Sequence, residues 1–583
     1  MESGLVKPPA LPVSRRKLGW MWQAGLAATA FVVLFVLTVP DVTADTPVYV
    51  SQIFNFYKGG PSADPKLLWE FGHLLWRPMA YPLWRVLSPA LSSWSGGNPY
   101  LEITAVLVGM NFVAGLSLSI VLFFTCRKLA LSNITAFAVT LAFLSTSTIL
   151  NYIHSGMSYN LGFALQVAGL LLILHACTTT RPGPAAWKSV FGGIVLGLSC
   201  AVWFPYVLTI PAPFVAGWFA GGASELSLGF EWRRRLKLLG IALVATAGIV
   251  VLTFGIGAWI DHISSIAGLR QWVLNSAHGV APQHRLIRLP TGVTRSFLYF
   301  GDDGILFKRF TMGDPYAPVH FGDLVQAGLW KILAVFLVLL AFVVTLAGHR
   351  KTWPALAVVM CAALPCLGFA VLLFDTSEPA RYEPAYAALL VGVCAVLLLP
   401  RNARIGRWCL AGFAAAMFLV NWTAYGWTLR KGTADAIARV NLIHEHAASH
   451  DTVFLLSFRD PISTFVQKAP FSRYNRPNTL ALHHAIEPGS SLVLTWRHDA
   501  ACRMLNTWKA GGQDWISDRL VAQRPLPSWN WAEHDDDRVH WTDVSNFFAP
   551  LDRGEHIGGS DGFFLLPDSQ SNRDRLAGYC SPH

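Results

Sequence analysis

The chain of 583 residues is 53% hydrophobic and only 14% charged, with a formal net charge of +11 at pH 7 and a mean hydropathy of +0.42. Soluble proteins carry roughly 25% charged residues, so this composition excludes an ordinary soluble protein and indicates a polytopic membrane protein. Much of the positive surplus lies in short segments between apolar runs, which is the positive-inside pattern and argues against nucleic-acid binding.

The apolar runs, each about 20 residues long, predict transmembrane helices. They are continuous rather than alternating in polarity, which favours helices over a β-barrel in lipid. The predicted fold class is therefore an α-helical polytopic membrane protein with about eleven transmembrane helices. The predicted spans are residues 18–39, 101–125, 129–150, 157–176, 189–202, 205–221, 238–260, 324–347, 353–374, 384–400 and 408–427.

The distribution of Lys and Arg places the predicted loops on the two sides of the membrane. Residues 1–17 end in Arg15, Arg16 and Lys17 and are predicted to be cytoplasmic, and Lys and Arg recur in every second loop after that. The transmembrane domain is then 18–427, with outside loops at about 40–100 and 261–323. Residues 428–583 are predicted to form an extracytoplasmic C-terminal domain, and the predicted location is the plasma (inner) membrane.

Two acids, Asp41 and Asp45, stand just after the first predicted span. A carboxylate at this outside mouth can act as a general base that takes a proton from an acceptor hydroxyl or amine. Because Asp45 precedes Thr46 and Pro47, it can equally be a helix cap, and the spacing alone does not decide between catalyst and cap. Asp41 either shares the catalytic role or only flanks it.

Four polar residues spaced four apart follow in the same loop: His73, Arg77, Tyr81 and Arg85. The spacing predicts one face of a helix, which Pro78 and Pro82 must kink or restart. Arginine presents a fork that matches phosphate oxygens, so one function of this face is to hold a lipid phosphate. The alternative is an interfacial helix whose arginines only meet anionic headgroups. We favour the functional role for His73 and Arg77 and the interfacial one for Arg85.

A third cluster, Glu378, Arg381 and Tyr382, lies in the short outside loop before the tenth predicted span. Its two charges form either a simple surface pair, which contributes little to stability, or part of the same cavity as the first loop, with Arg381 as a second phosphate contact. The sequence leaves both alternatives open.

The middle outside loop gives the weakest indication of function among the three large outside segments. Its cationic residues either bind a diphosphate or form an ordinary solvated surface. Asp302-Asp303-Gly304 is more typical of a turn than of a metal site. The cationic and histidine residues in question are His278, His284, Arg285, Arg288 and Arg295.

The C-terminal domain is predicted to be α/β or α+β, with β-like runs at 452–458, 479–483 and 491–496 between turn residues. Its two cysteines, Cys502 and Cys580, are predicted to face an oxidising compartment. We interpret them as a disulfide, against the alternative of two unpaired thiols.

Three short motifs stand out together: Asp45 with Tyr49, the segment HLLWRP at 73–78, and RYEP at 381–384. In these motifs and in its layout, the chain resembles the GT-C superfamily of membrane glycosyltransferases, more closely the branch of protein O-mannosyltransferases and aminoarabinose transferases. The resemblance covers most of the membrane part in architecture, but only these short motifs in sequence.

The resemblance implies an inverting transfer of a sugar from a polyprenyl-phosphate donor to a glycan, lipid or protein acceptor on the outer face of the membrane. It places the family's catalytic acid at Asp45, its first-loop histidine at His73 and its late arginine at Arg381. Tyr49, Arg77, Glu378 and Tyr382 are the further candidates for substrate binding, and Asp41 is a second catalytic candidate.

The sequence departs from the family pattern at two positions. Thr46 stands where many members have a second acid, and Leu74-Leu75 follows His73 where the family usually has two prolines. These departures leave dependence on a divalent metal open, and no other cofactor is indicated. The expected partners are the lipid-linked sugar, its acceptor and membrane lipids.

Three other functions remain as alternatives. A polysaccharide ligase or polymerase would use the cationic middle loop, and a transporter or flippase would need ionisable residues inside the spans. The middles of the predicted spans are nearly free of Asp, Glu, Lys and Arg, which argues against the transporter. A scaffold that only presents the C-terminal domain is the non-enzymatic alternative.

Overall fold

The computed structural model describes residues 13–41, 45–97, 99–220, 231–275, 289–301, 306–307, 310, 319–372, 378–399, 404–431, 438, 442, 452–455, 493–518, 547–558 and 562–580. Its α-helices are α1 Val13–Leu37, α2 Thr46–Gly59, α3 Trp76–Ser95, α4 Pro99–Lys128, α5 Asn133–Leu144, α6 Ser147–Tyr152, α7 Tyr159–Thr178, α8 Pro182–Val202, α9 Pro211–Phe219, α10 Glu231–Ile260, α11 Ile266–Asn275, α12 Leu289–Phe297, α13 Phe321–Gln326, α14 Leu329–Gly348, α15 Trp353–Leu372, α16 Tyr386–Leu398, α17 Arg404–Thr423, α18 Val493–Lys509 and α19 Gln570–Cys580. The strands are β1 Thr452–Leu455, β2 Gln513–Ser517, β3 His556–Ile557 and β4 Phe563–Leu566.

The prediction of a multi-pass helical membrane protein is confirmed. Within the described residues, eight helices are long and apolar enough to cross a membrane, at Pro99–Lys128, Tyr159–Thr178, Pro182–Val202, Trp232–Ile260, Leu329–Gly348, Arg350–Leu372, Pro379–Leu398 and Ile405–Lys431. The other three predicted spans coincide with shorter apolar helices, at Trp22–Leu37, Asn133–Leu144 and Phe204–Phe219. The total of eleven spans, the orientation of the chain and the domain boundaries stay predictions.

The third predicted span, 129–150, is broken in the structure between α5 and α6. The break frees the carbonyl of Ser145, and the side-chain amide of Asn421 in α17 donates to it at 2.7 Å. The same Asn421 amide donates to the carbonyl of Phe297 at 2.8 Å, and its oxygen accepts from the backbone of Tyr299 at 2.7 Å. A buried backbone group needs such a partner, so one asparagine joins the break, α12 and α17.

The first outside loop is structured and lies against α4. Its amphipathic helix α3 begins at Trp76, so Pro78 falls in the first turn, where proline is tolerated, and Pro82 lies inside the helix. Along one side of α3, four groups donate to the carboxylate of Glu102 in α4 at 2.6 to 3.0 Å. The donors are Trp84, Ser88, Ser92 and Ser95. This carboxylate therefore fixes α3 along the start of α4.

The C-terminal part contains a four-stranded sheet in the order β1-β2-β4-β3. β1 and β2 are parallel, β4 is antiparallel to both β2 and β3, and α18 lies in the crossover between β1 and β2. The predicted strand at 452–458 is present as β1 over four residues, whereas the run at 479–483 lies outside the described residues.

The predicted strand at 491–496 is wrong, because α18 begins at Val493. Ala501, Met504 and Trp508 are buried along this helix, at the three- and four-residue spacing of a helical face, and that longer pattern overrides the short β-like run. The disulfide prediction is confirmed: Cys502 in α18 is bonded to Cys580 in α19, with Cα atoms 4.9 Å apart. The bond ties the end of the chain to the sheet domain.

A prediction concerns Asp514 in β2, which is fully buried and whose two carboxyl oxygens have no hydrogen-bond partner among the described residues. Burial, with a smaller contribution from Asp568, raises the pKa of Asp514 to about 8. The unfolded chain, with an Asp pKa of about 3.9, loses this proton at much lower pH, so stability should fall as pH rises from about 4 to 8. We expect Asp514→Asn to increase protection of β2 against hydrogen exchange, with a larger gain at pH 8 than at pH 5.

The measurement is hydrogen-exchange mass spectrometry of the full chain, with Asp574→Asn, at an exposed position of α19, as the control. A gain that does not grow with pH would contradict the argument.

Candidate active site

Asp45 and Tyr49 lie at the start of α2, just after the first apolar helix of the chain. Asp45 occupies the N-cap position, but its side chain makes no capping hydrogen bond, so the cap hypothesis does not account for this acid. The neighbouring Thr46 is buried, and its hydroxyl accepts from the backbone N–H of Gly156 at 2.7 Å. Thr46, one of the departures from the family pattern, thus anchors α2 to the turn between α6 and α7.

Tyr49 is the point on which the charged residues of the site converge. Its side chain is fully buried, and burial raises its pKa well above the ordinary value. The negative charges of Asp45 and Glu70 raise the pKa of Tyr49 further, while Arg77 and Arg381 act in the opposite direction. Four charged side chains from three segments of the chain therefore lie within electrostatic reach of one phenol.

His73 lies directly beside Tyr49, with ring centroids 5.6 Å apart in an edge-on arrangement. It is buried, and its Nδ1 is 2.8 Å from the hydroxyl oxygen of Ser158, immediately before α7. Three residues later, the indole N–H of Trp76 donates to the carbonyl of Gly156 at 2.6 Å. These contacts join the first loop to the α6–α7 turn.

Arg77 is fully buried, which the sequence did not predict for a phosphate contact. One terminal nitrogen is 2.5 Å from Glu70 Oε2, and the other donates to the side-chain oxygen of Gln52 in α2. Its guanidinium carbon also lies 5.2 Å from the centroid of the Tyr49 ring. A fork engaged in this way is not offered to a lipid phosphate in this conformation, and its visible effect is to bind α2 to α3. Arg85, in contrast, is exposed over Tyr57, as expected for an interfacial arginine.

Arg381 lies on the 3₁₀-helix Pro379–Ala385 and forms an ion pair at 2.8 Å with Glu378, which directly precedes that helix. The side chains of Glu378 and Arg381 are 28% and 12% exposed, so this arginine is partly accessible, whereas Arg77 is fully buried and only its partner Glu70 is exposed, at 14%. The hydroxyls of Tyr152 and Tyr159 lie at 3.5 and 3.4 Å from the other oxygen of Glu378. Arg381 also faces the ring of Trp203 at 5.8 Å.

Arg381 lies within electrostatic reach of Asp45, so the first-loop and late-loop candidates share one site. Arg295, at the end of α12, joins them from the middle loop. It is half-buried, and its positive charge, like that of Arg381, acts on Tyr152, whose pKa burial raises well above the ordinary value. The other middle-loop candidates, at 278–288 and 302–304, lie outside the described residues.

Asp41 and Tyr382 have surroundings that differ from those of the charged residues around Tyr49. Asp41 is exposed, its backbone N–H donates to the side chain of Asn151 at 2.9 Å, and its charge acts on Tyr425. Tyr382 is buried in an apolar cluster with residues such as Leu298 and Met417. The structure therefore gives Tyr382 a place in the core and not in the cluster around Tyr49.

His154 is a further buried group beside the site. Its Nε2 lies 2.9 Å from the Thr38 hydroxyl, and its ring stacks on Phe35 at 4.4 Å. The Thr38 hydroxyl donates to the carbonyl of Leu34 at 2.6 Å, so its single proton is used and His154 Nε2–H must be the donor. Burial lowers the pKa of His154 to about 4, and the ring is neutral at neutral pH.

An apolar cavity of about 360 Å³ lies between α5, α14, α16 and α17. Its lining includes Ala142, Phe143, Phe342 and Met417, together with Thr146 and Phe297. Thr146 directly precedes α6, and α6 ends at Tyr152. Phe297 is two residues from Arg295. The cavity therefore reaches the same short segments that carry the polar site.

Several residues of the site were missed by the sequence analysis, namely Gln52, Glu70, Tyr152, Ser158, Tyr159 and Trp203. Glu70 carried a signal, because it lies seven residues before Arg77 in the same stretch and a buried arginine requires a counter-charge. The others are uncharged or aromatic, and they lie in segments that the sequence predicted only to cross the membrane or to connect other elements. Among the residues that the structure describes, no group of three or more His, Cys, Asp or Glu side chains could hold a metal ion, and metal dependence stays open.

Among solved structures, the chain is similar to an oligosaccharyltransferase from Archaeoglobus fulgidus, described as a complex with zinc and sulfate, at 13% identity over 93% of this chain and 73% of that one, with a TM-score of 0.41. It is similar to ArnT from Cupriavidus metallidurans bound to undecaprenyl phosphate, at 11% identity over 97% and 99% of the two chains, with a TM-score of 0.44. The apo state of that ArnT gives 12% identity over 97% and 100%, with a TM-score of 0.35.

No family model and no curated protein matches the chain. The likeness to the solved structures concerns the overall fold alone. At these identities and TM-scores it assigns no residue, donor or activity to this chain.

A prediction follows from the Glu70–Arg77 pair. Removing one partner of a buried ion pair leaves an uncompensated charge and typically costs about 3–5 kcal/mol. We expect Arg77→Met to lower the unfolding temperature of the purified full chain strongly, and Glu70→Gln combined with Arg77→Met to recover part of the loss.

Arg85→Met, on the exposed side of the same helix, is the matched control and should change the unfolding temperature little. An Arg77→Met protein as stable as this control would show that the buried pair does not hold α2 to α3.

Proposed function

We propose that the protein is an inverting membrane glycosyltransferase that moves a sugar from a polyprenyl-phosphate donor to an acceptor on the outer face of the membrane. The observation that carries the proposal is that Asp45 and Arg381 both lie within electrostatic reach of the buried Tyr49 and of each other, with Glu378 paired to Arg381. Such a transfer needs a base for the acceptor and positive charge for the departing phosphate, and this cluster contains both.

Asp45 is the base in this proposal. It is half-buried and makes no capping hydrogen bond, so its carboxylate is not required to start α2. A positioned carboxylate takes the proton of an acceptor hydroxyl or amine as the new bond to the sugar forms, which contributes about 10²–10⁴-fold to a rate. Tyr49, His73 and Arg77 position this acid by fixing α2 to α3 and to the α6–α7 turn.

Arg381 is the proposed contact for the leaving phosphate. Its side chain is 12% exposed, whereas that of Arg77 is fully buried. Glu378 holds one terminal nitrogen of Arg381 in the resting state, and the phosphate of the donor would compete with this carboxylate for the guanidinium. Arg295 supplies a second cation within electrostatic reach of Tyr152.

The apolar cavity suits the lipid part of the donor. Its lining is almost wholly hydrocarbon, as a prenyl chain requires, and it reaches Thr146 and Phe297 next to the segments that carry Tyr152 and Arg295. A lipid lying there would bring its phosphate toward Arg295 and Arg381, and its sugar toward Asp45.

We expect Asp45→Asn to lower the rate of sugar transfer by about 10²-fold or more, because the amide cannot accept the proton. Transfer would be measured with lipid-linked sugars extracted from the source cells, and in cells by the accumulation of those intermediates. Asp64→Asn, at an exposed cap of the same loop, is the control, since asparagine keeps the cap.

Asp41→Asn distinguishes the two acids and should reduce transfer much less than Asp45→Asn. Full activity in a folded Asp45→Asn protein would contradict the proposal. It would favour the alternative in which the middle loop carries the catalytic residues, as in a ligase or polymerase.

We expect Arg381→Gln to lower the rate of transfer by about 10²–10³-fold, the usual loss when one stabilising donor of a developing charge is removed. The rate is measured in single turnover at saturating donor, so that product release does not mask it. Arg85→Gln is the control for a cation outside the site, and an Arg381→Gln rate equal to the control rate would exclude the phosphate contact.

A further inference from the structure

Glu383 is a buried carboxyl that the proposed reaction does not use. It lies on the 3₁₀-helix Pro379–Ala385, two residues after Arg381, and is fully inaccessible to solvent. With the Asn160 amide oriented to satisfy both of its neighbours, Asn160 Nδ2 donates to Glu383 Oε1 at 3.0 Å. Glu383 Oε2 has no hydrogen-bond partner in the part of the chain that the structure describes.

No positive charge compensates this carboxyl within the described residues. Arg381 pairs with Glu378, and the ionisable groups that face Glu383 are three tyrosines, Tyr152 of α6, Tyr206 of the 3₁₀-helix Phe204–Thr209, and Tyr386 of α16. The hydroxyls of these tyrosines are directed elsewhere, to Glu378, to the carbonyl of Tyr159 and to that of Ser296.

An isolated buried charge costs far more than one unsatisfied hydroxyl, so the protonated acid is the form that fits this site. The amide of Asn160 can donate to an un-ionised carboxyl as well as to a carboxylate, and it therefore does not require the charge.

The hydrogen bond from Asn160 to Glu383 belongs to a chain of contacts that leads back to Arg381. The side-chain oxygen of Asn160, in the same orientation, accepts from the backbone N–H of Ile153 at 2.9 Å. Ile153 follows Tyr152, whose hydroxyl faces Glu378, and Glu378 holds Arg381. Glu383 and Arg381 share one 3₁₀-helix, so a shift of Glu383 moves the guanidinium against the α6–α7 turn.

We propose that Glu383 is an un-ionised positioning residue, which acts through Asn160 to hold the Glu378–Arg381 pair against the α6–α7 turn. The part that concerns catalysis rests on the proposed function, because Arg381 is the proposed phosphate contact. The part that concerns protonation does not, and the two can be tested separately.

Infrared difference spectroscopy of the full chain in detergent tests the protonation. The wild-type minus Glu383→Gln spectrum at pH 7 should contain the C=O stretching band of a protonated carboxylic acid. The Glu102→Gln difference spectrum is the control and should lack this band, since four donors surround that carboxylate. Absence of the band from the Glu383 difference spectrum would overturn the proposal, whatever reaction the protein catalyses.

Transfer kinetics test the positioning. Glu383→Gln keeps a neutral hydrogen-bonding side chain of the same size and should retain the wild-type kcat. Glu383→Ala and Asn160→Ala should each lower kcat by about tenfold to a hundredfold through displacement of Arg381. A folded Glu383→Gln protein with the kcat of the Ala variant would overturn the proposal, because it would show that the ionised carboxylate is needed.

The pH profile separates this role from simple packing. Wild-type kcat should fall reversibly on the alkaline side as Glu383 ionises, and Glu383→Gln should lack this fall. Tyr152, Tyr206, Tyr386, Glu378 and Arg381 are present in both proteins, so their titration does not affect the comparison. Identical alkaline limbs in the two proteins would contradict the proposal.

Discussion

The burial of Tyr49 between the first outside loop and the α6–α7 turn is the contact on which the rest of the site depends. The phenol is covered by His73 and Arg77, and the turn is held through Thr46, Trp76 and Ser158. A loop that lies outside the membrane spans is entropically costly to order, and this network of buried polar contacts offsets that cost. Asp45 owes its position to this docking, since it starts the helix that Tyr49 anchors.

The two ion pairs near Tyr49 differ in the way that their proposed roles require. In the Glu70–Arg77 pair the arginine is fully buried, and a buried guanidinium gives a fixed geometry to the segments that it joins. In the Glu378–Arg381 pair both side chains are partly exposed, and the two tyrosine hydroxyls near Glu378 are at the long limit of hydrogen bonding. A partly exposed arginine with weak secondary contacts around its partner is better placed to exchange one anion for another than a fully buried arginine is.

The membrane part contributes an apolar cavity and a break in one helix that borders it, at Thr146. The break between α5 and α6 is stabilised by Asn421, and it places α6 so that its start borders the cavity and its end faces Glu378. Irregular backbone at this depth is tolerated only where protein groups satisfy it. The same six-residue helix therefore adjoins both the lipid-compatible space and the charged cluster, which is the arrangement that a lipid-linked donor needs.

Hydropathy and charge patterns were enough to predict the class of fold and to name most of the charged candidates, because both reflect interactions with the solvent and need no partner in the fold. Asp45, Tyr49, His73 and Arg381 were all named from short motifs, and the disulfide from two cysteines in an oxidising context. The burial of Arg77 and the partial exposure of Arg381 follow from packing alone, since the two arginines look alike in the sequence until Glu70, Gln52 and Glu378 are brought to them.

Tertiary contacts also decided what the local patterns could not. The β-like run at 491–496 became the start of α18 because burial along a longer stretch outweighs a few β-favouring residues. Tyr382 packs in an apolar cluster, whereas Glu383, one residue further along the chain, is a fully buried carboxyl. Adjacent side chains on a 3₁₀-helix point in different directions, and their surroundings come from segments distant in the sequence, so their environments follow from packing and not from order in the chain.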